Sequence, residues 1–152
     1  MKTEFIVFLS GPITGLSYAE STEWRKYVQD NLPDNVIAFS PLRNKPHLKE
    51  ESSLLDHYDH VLSTSKSITK MDYFDVKRSD LILVNLLNTK RVSIGTVMEI
   101  AWAYEMGKPI IVAMEKDNIH QHSMIRECSD FILPTLEEAL DIVLHILMPG
   151  EH

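Results

Sequence analysis

The sequence predicts an α/β protein: a doubly wound, flavodoxin- or Rossmann-like sheet of five parallel strands with helices on both faces. Two observations carry this expectation. Short apolar runs alternate with longer segments of helical character along the chain. Each run is also apolar throughout rather than alternating, which is the pattern of parallel strands buried on both faces.

The first run, "EFIVFLSGP", is β-branched and aromatic and ends in Ser-Gly-Pro, so it reads as a buried strand entering a loop. "SYAESTEWRKYVQDNL" follows with Trp24, Val28 and Leu32 at four-residue spacing, a helical stripe. "NVIAFSP" is a second strand. Leu42 to about Lys66 is polar and histidine-rich, with a short helix expected only around Leu54–Leu62. A connection of that length within a compact domain is commonly functional or mobile. "SITKMDYFDVKRSD" is a helix carrying Ile68, Met71, Tyr73 and Val76, and it leads into "LILVNLL", the most strand-like run. After "NTKRV" comes the apolar helix "SIGTVMEIAWA", opened by a glycine-containing turn and ended by Gly107 and Pro109. "PIIVAM" and "DFILP" are the last two strands. "TLEEALDIVLHILM" closes the chain as an amphipathic helix with Thr135 and Glu138 as a capping box.

With 152 residues, 44% of them hydrophobic and 24% charged, the chain fits one domain, 1–152, able to bury about two-thirds of its unfolded surface. A formal charge of −7 argues against nucleic-acid binding, which needs clustered Lys and Arg. The lone Cys128 can form no internal disulfide. The amino-terminal apolar run, Phe5–Leu9, is too short for a signal peptide or a membrane span, so a cytoplasmic protein with no membrane partner is expected.

In doubly wound sheets ligands bind beyond the carboxyl ends of the strands, where strand order reverses. The loops "SGPITG", "SPLRNK", "NLLNTKRVSIG" and "MEKDNIHQHSMIR" meet at that edge, and Glu99 begins its helix there. Two readings of Glu99 stand side by side. In one, Thr96-Val97-Met98-Glu99 is a capping box and Glu99 is structural. In the other, the carboxylate faces a ligand and the helix N-terminus keeps its pKa low, so that it stays ionised. Asp72 and Asp75 lie three apart on the preceding helix, so one is expected to face the site and the other solvent. Two carboxylates flanking a pocket are what cleavage of a glycosidic bond requires.

"SGPITG" lacks both GxGxxG and the P-loop pattern, which removes the dinucleotide and nucleoside-triphosphate signals. His47, His57, His60, His120 and His122 lie in polar segments without HExxH spacing, so they read as surface residues and no metal is expected. Trp24 and Trp102 read as core.

Taken in order, "FLSGPITG", "KMDYFDVKRSDLILVNL", "SIGTVMEIAWAYEMGKPIIV" and "SMIRE" resemble the nucleoside 2-deoxyribosyltransferase superfamily over most of the chain. The resemblance implies a glutamate nucleophile at Glu99, which forms a covalent glycosyl intermediate. It also implies an aspartate at Asp72 that contacts the nucleobase and assists its departure. Neither a metal nor an organic cofactor is implied.

Transferases acting on free deoxynucleosides tend to have an aspartate six residues before the nucleophile, where this chain has Ser93. There, and in "SMIR", the sequence is similar to the branch that hydrolyses nucleoside 5′-monophosphates. The resemblance therefore implies Ser93 and Ser123 as phosphate ligands, with Ser123 supplied by the neighbouring subunit of a homodimer or higher homo-oligomer. Hydroxyls and amides near a helix N-terminus suit a phosphate, which a carboxylate would repel.

Phe8 and Ile13 are then expected to line the base and sugar pocket. Ser10 and the amides of Gly11, Ile13 and Gly15 are expected to compensate for Pro12, which stands where those hydrolases tend to have a serine. Gly95 is expected to be the turn that lets the ligand approach the backbone, and Thr96 the helix cap. Base selection is expected to involve residues 43–66. The reading is thus an N-glycosidase acting on a nucleoside 5′-monophosphate, beside a deoxyribosyltransferase acting on free nucleosides and a non-catalytic nucleotide sensor in which Glu99 is only a cap.

Overall fold

The computed structural model describes residues 2–150, so residues 1, 151 and 152 of the expected domain lie outside the described residues. Five strands form one all-parallel sheet: β1 (Phe5–Ser10), β2 (Val36–Phe39), β3 (Leu81–Asn85), β4 (Ile110–Ala113) and β5 (Phe131–Leu133). Their spatial order is β2-β1-β3-β4-β5. Strand order reverses between β1 and β3, so the ends of these two strands form the crevice where ligands bind in doubly wound sheets.

Side chains alternate across each strand and divide the core into two layers. Val7, Leu9, Leu83 and Ile111 pack with α1 (Tyr18–Asp30) and a carboxyl-terminal helix, Leu136–Leu147. Phe8, Ile82, Val84 and Val112 pack with α2 (Ser65–Arg78), α3 (Ile94–Glu105) and α4 (Ser123–Cys128). The carboxyl-terminal helix is α5. Every strand and four of the five helices fall where the sequence places them. The fifth, α4, has six residues, too few to display an apolar period.

The helix expected around Leu54–Leu62 does not form. Only a 3₁₀ turn at Pro46–Leu48 interrupts the irregular path from β2 to α2. Leu54 instead exchanges backbone bonds with the β1–α1 loop: its N–H donates to the Leu16 carbonyl at 2.6 Å, and its carbonyl accepts from the Gly15 N–H at 2.7 Å. Buried Leu42, Leu48 and Leu54 form a third apolar cluster with Ile13, Tyr18 and Tyr58. Local apolar spacing is overridden here by pairing with a distant loop.

Asp75 also departs from expectation. It is 1% exposed rather than facing solvent, and it ties the root of this connection to α2. Arg43 donates to it through both Nη atoms, at 2.6 and 3.0 Å, and Arg78 through Nε and Nη2, at 3.1 and 2.7 Å. Such a carboxylate is tolerated inside because two guanidinium groups satisfy both of its oxygens. Among the described residues, no helix is long and apolar enough to cross a membrane.

Candidate active site

A cavity of about 510 Å³ opens at the switch point. The β1–α1 loop, the β2–α2 connection, α2 and the start of α3 line it, and Asp72 and Glu99 meet in its wall.

Glu99 is neither a cap nor in the first turn. Ser93 is the N-cap of α3, its Oγ accepting from the Thr96 N–H at 3.4 Å and pairing with the Thr96 hydroxyl at 2.8 Å. Glu99 lies six residues beyond the cap, with only 7% of its surface exposed. Ser10, at the carboxyl end of β1, donates its hydroxyl to Glu99 Oε1 at 2.6 Å. Ser10 is itself fully buried, so it contacts the carboxylate from behind and does not touch a ligand.

The expectation of a low pKa is reversed. Burial drives Glu99 well above the ordinary carboxylate range and the adjacent Asp72 adds to the rise; the Ser10 hydroxyl and the Arg25 guanidinium oppose it. Past the first turn the helix N-terminus is too distant to win against desolvation. Burial also raises Asp72, to about 6, against the pull of the Lys45 ammonium and a hydrogen bond with Glu99. Burial and the neighbouring acid therefore favour the protonated form of both carboxyls, more strongly for Glu99, and the two titrate as a coupled pair. A pair of this kind can exchange roles by moving a single proton between its members.

Beneath the pair lies Arg25, a cation that the sequence reading passes over. It is 1% exposed and donates from Nε to the Leu9 carbonyl at 3.3 Å, from Nη2 to the Gly11 carbonyl at 3.1 Å, and from Nη1 to the Ser21 carbonyl. It thereby fixes the end of β1 while its charge faces both acids. Burial lowers its pKa to about 10, and Glu99 and Asp72 resist that fall. The sequence does carry a signal: Arg25 is four residues after Ser21 and three before Val28, on the helix face that is buried.

Of the other expected residues, Ile13, Ser93 and Gly95 line the cavity, as does Gly11. A Cβ on Gly11 would lie 2.8 Å from the Asn85 carbonyl, so the loop passes β3 only because that atom is missing. Gly95 is not a turn but a first-turn helical residue, and a Cβ added there would meet nothing within 4 Å, which leaves open space above the backbone. Phe8 does not reach the cavity: alternation turns it into the core layer that holds Val76 and Ile82. Gly15 lies beside the cavity rather than in its wall; its φ of +85° suits glycine, and its N–H is taken by Leu54. Ser123 is exposed at the start of α4, away from this cavity.

Two further cations border the space. Arg91 lies across bare Gly15, where a Cβ would meet its Nη2 at 2.5 Å. It is exposed and pairs with no carboxylate among the described residues. Lys45 lies in the wall near Asp72. His120 is buried, contrary to the surface reading of the histidines. Its Nε2 accepts the Ser93 N–H at 2.8 Å, so Nδ1 carries the proton toward Asn118 Oδ1 and the Thr89 hydroxyl, and the loop entering α3 is held in place. Among the described residues, no group of three or more His, Cys, Asp or Glu is placed to hold a metal.

The family model for nucleoside 2-deoxyribosyltransferase matches residues 7–134. Solved structures share the fold at low identity. A 2-deoxyribosyltransferase from Bacillus psychrosaccharolyticus superposes with a TM-score of 0.66 at 18% identity, covering 90% of each chain. A 2-desoxiribosyltransferase from Leishmania mexicana gives 0.67 at 12% identity, over 95% of this chain and 99% of its own. The CMP N-glycosidase BcmB of Clostridium botulinum gives 0.52 at 20% identity, over 93% and 99%. A search of curated proteins finds no match.

Proposed function

Because the chain belongs to the nucleoside 2-deoxyribosyltransferase family, we propose that it cleaves the N-glycosidic bond of a nucleoside 5′-monophosphate, releasing the free base and a (deoxy)ribose 5-phosphate. The observation that carries the bond-cleaving part is the proton-sharing pair of Glu99 and Asp72 in the switch-point cavity.

The reactive form is the one in which the shared proton has moved to Asp72. Ionised Glu99 then attacks C1′, a C1′–O bond forms as the C1′–N bond breaks, and the bonding electrons leave with the base, which takes the proton from Asp72. Water, deprotonated by the Asp72 carboxylate, attacks C1′ and frees Glu99. Two displacements give net retention. Ser10 and Arg25 stabilise the ionised nucleophile, while neither occupies space that the sugar needs.

The phosphate preference rests on a separate set of groups. Ser93 lines the cavity in place of a carboxylate, the amides of Ile94 and Gly95 have no acceptor within the helix, and Arg91 lies nearby with no carboxylate partner among the described residues. Exposed Ile94, Met98 and Met124 surround the start of α3 and α4, which supports association with a second copy whose Ser123 completes the phosphate contacts.

The deciding experiment is a chromatographic screen of nucleosides and their 5′-monophosphates for base release, with Glu99→Ala in parallel. Release that needs the 5′-phosphate and disappears in the variant is expected. Near wild-type release by Glu99→Ala would overturn the mechanism. Transfer to a second base is the alternative reading, supported by the description of the family whose model the chain matches. A new nucleoside formed from a deoxynucleoside and a free base would establish it.

A further inference from the structure

Lys45 is a charged side chain left unpaired inside the site. It is 5% exposed, it lines the cavity, and among the described residues its ammonium makes neither a hydrogen bond nor an ion pair. Since no buried side-chain nitrogen among the described residues is without a partner, that ammonium is not sealed in the core but opens on the cavity. Leu42, Leu48 and Leu54 line the cavity with it, and Asp72, Arg43 and Asp75 are the charged groups that act on it. Its position is fixed on both sides in sequence. Arg43 is clamped to Asp75, and the Lys45 carbonyl accepts from the Leu48 N–H at 3.1 Å to close the 3₁₀ turn. A desolvated, pre-positioned donor with no partner of its own is built to meet an acceptor on a ligand.

The location decides which part of the ligand that is. Lys45 is near Asp72, whose charge would repel a phosphate, whereas Arg91, lying across Gly15, and the first-turn amides of α3 meet no carboxylate among the described residues. We infer that Lys45 reads the nucleobase, its ammonium donating to a ring carbonyl oxygen, so that the site takes oxo bases and discriminates against adenine, the common base without one. This rests on the substrate reading above and deepens it. When the C1′–N bond breaks, the electron pair entering the base delocalises onto that same oxygen. The contact therefore strengthens as the base departs, and the ammonium stabilises the leaving group without giving up its proton.

The test compares inosine and adenosine 5′-monophosphates, which differ at one exocyclic position. Base release and calorimetric binding are measured for the wild type, Lys45→Met and Lys45→Arg. The wild type is expected to favour inosine monophosphate by about tenfold or more in kcat/KM, because a site built around a hydrogen bond rejects an analogue that cannot make it. In Lys45→Met the ratio collapses toward one, and in Lys45→Arg a preference returns. Equal handling of the two by the wild type, or a Lys45→Met protein whose ratio is unchanged, overturns the inference while leaving the glycosidase reading intact. If no nucleotide is bound or cleaved by the wild type, the substrate reading and the role of Lys45 fall together.

Discussion

Ser10 Oγ donates to Glu99 Oε1 at 2.6 Å across 89 residues of sequence, joining the end of β1 to the second turn of α3 at the switch point. Ser10 is fully buried, so the bond can act only by orienting the carboxylate and favouring its ionised form. Ser10→Ala is therefore expected to lower kcat by about 10- to 100-fold with little change in KM, as when one preorganised donor is removed. Steady-state kinetics on the substrate found by the screen would check this. A rise in KM at constant kcat would argue against it.

On the proposed mechanism, the coupled titration of Glu99 and Asp72 sets the pH profile. Below about 6 a second proton enters the Glu99–Asp72 pair and no ionised nucleophile remains, so kcat/KM falls as pH drops through that value. On the alkaline side the pair loses its one proton, Asp72 can no longer protonate the base, and activity falls again. A bell-shaped profile is expected for the wild type. In Asp72→Asn, an acid limb that no longer lies near 6 would identify that residue as its source.

The same burial makes the site costly to fold. Asp72 titrates near 6 in the folded chain against an ordinary value of 3.8, so the folded state binds the proton more tightly. Stability therefore declines as pH rises from about 4 to 6, and the full cost remains at pH 7. Asp72→Asn should stabilise the protein at pH 7 by on the order of 1 kcal/mol, read as a rise in Tm of about 2–4 °C, and the gain should vanish near pH 4. Thermal unfolding at the two pH values would measure it.

Arg25 behaves in the opposite way. Its removal leaves the Leu9, Gly11 and Ser21 carbonyls without their donor and takes a cation from beneath two acids. Arg25→Met should destabilise the chain by about 3–5 kcal/mol, a loss seen when one member of a buried charged network is deleted. In whatever folds, the acid limb of activity should move to higher pH. An unchanged unfolding midpoint in denaturant would contradict this account.

At the phosphate end, Ser93→Asp places a carboxylate at the cap of α3, where it favours the helix dipole but repels a 5′-phosphate. KM for the monophosphate should rise by about tenfold or more relative to the matching nucleoside. The ratio of the two kcat/KM values, taken at low and high salt, checks it, because screening should shrink the difference.

Sheet and helices are readable because burial on both faces leaves continuous apolar runs, and the edge holding the site follows from strand order. Glu99 and Asp72 can be located in the sequence, but their charge states cannot. Proximity to a helix N-terminus suggests a low pKa, whereas depth in the cavity and the neighbouring acid dominate. Lys45, Arg91 and His120 sit in irregular segments where no period marks a side chain as buried or as facing a cavity. The partner of His120 is Ser93, in a loop distant in sequence, and Lys45 and Arg91 face a cavity that only the assembled loops create. The Leu54–Leu62 segment misleads for the same reason.

The clamp of Arg43 and Arg78 on Asp75 and the backbone exchange of Leu54 with Gly15 and Leu16 anchor the β2–α2 connection at two points, and further bonds such as Tyr18 N–H to the Glu51 carbonyl pin the stretch between them. Neither anchor includes Glu99, Ser10 or Arg25. The connection thus has the properties of an exchangeable cassette. On the proposed function, grafting a different stretch between the anchors should change which base is accepted while Glu99 stays in place, which makes this segment the natural place to begin directed evolution.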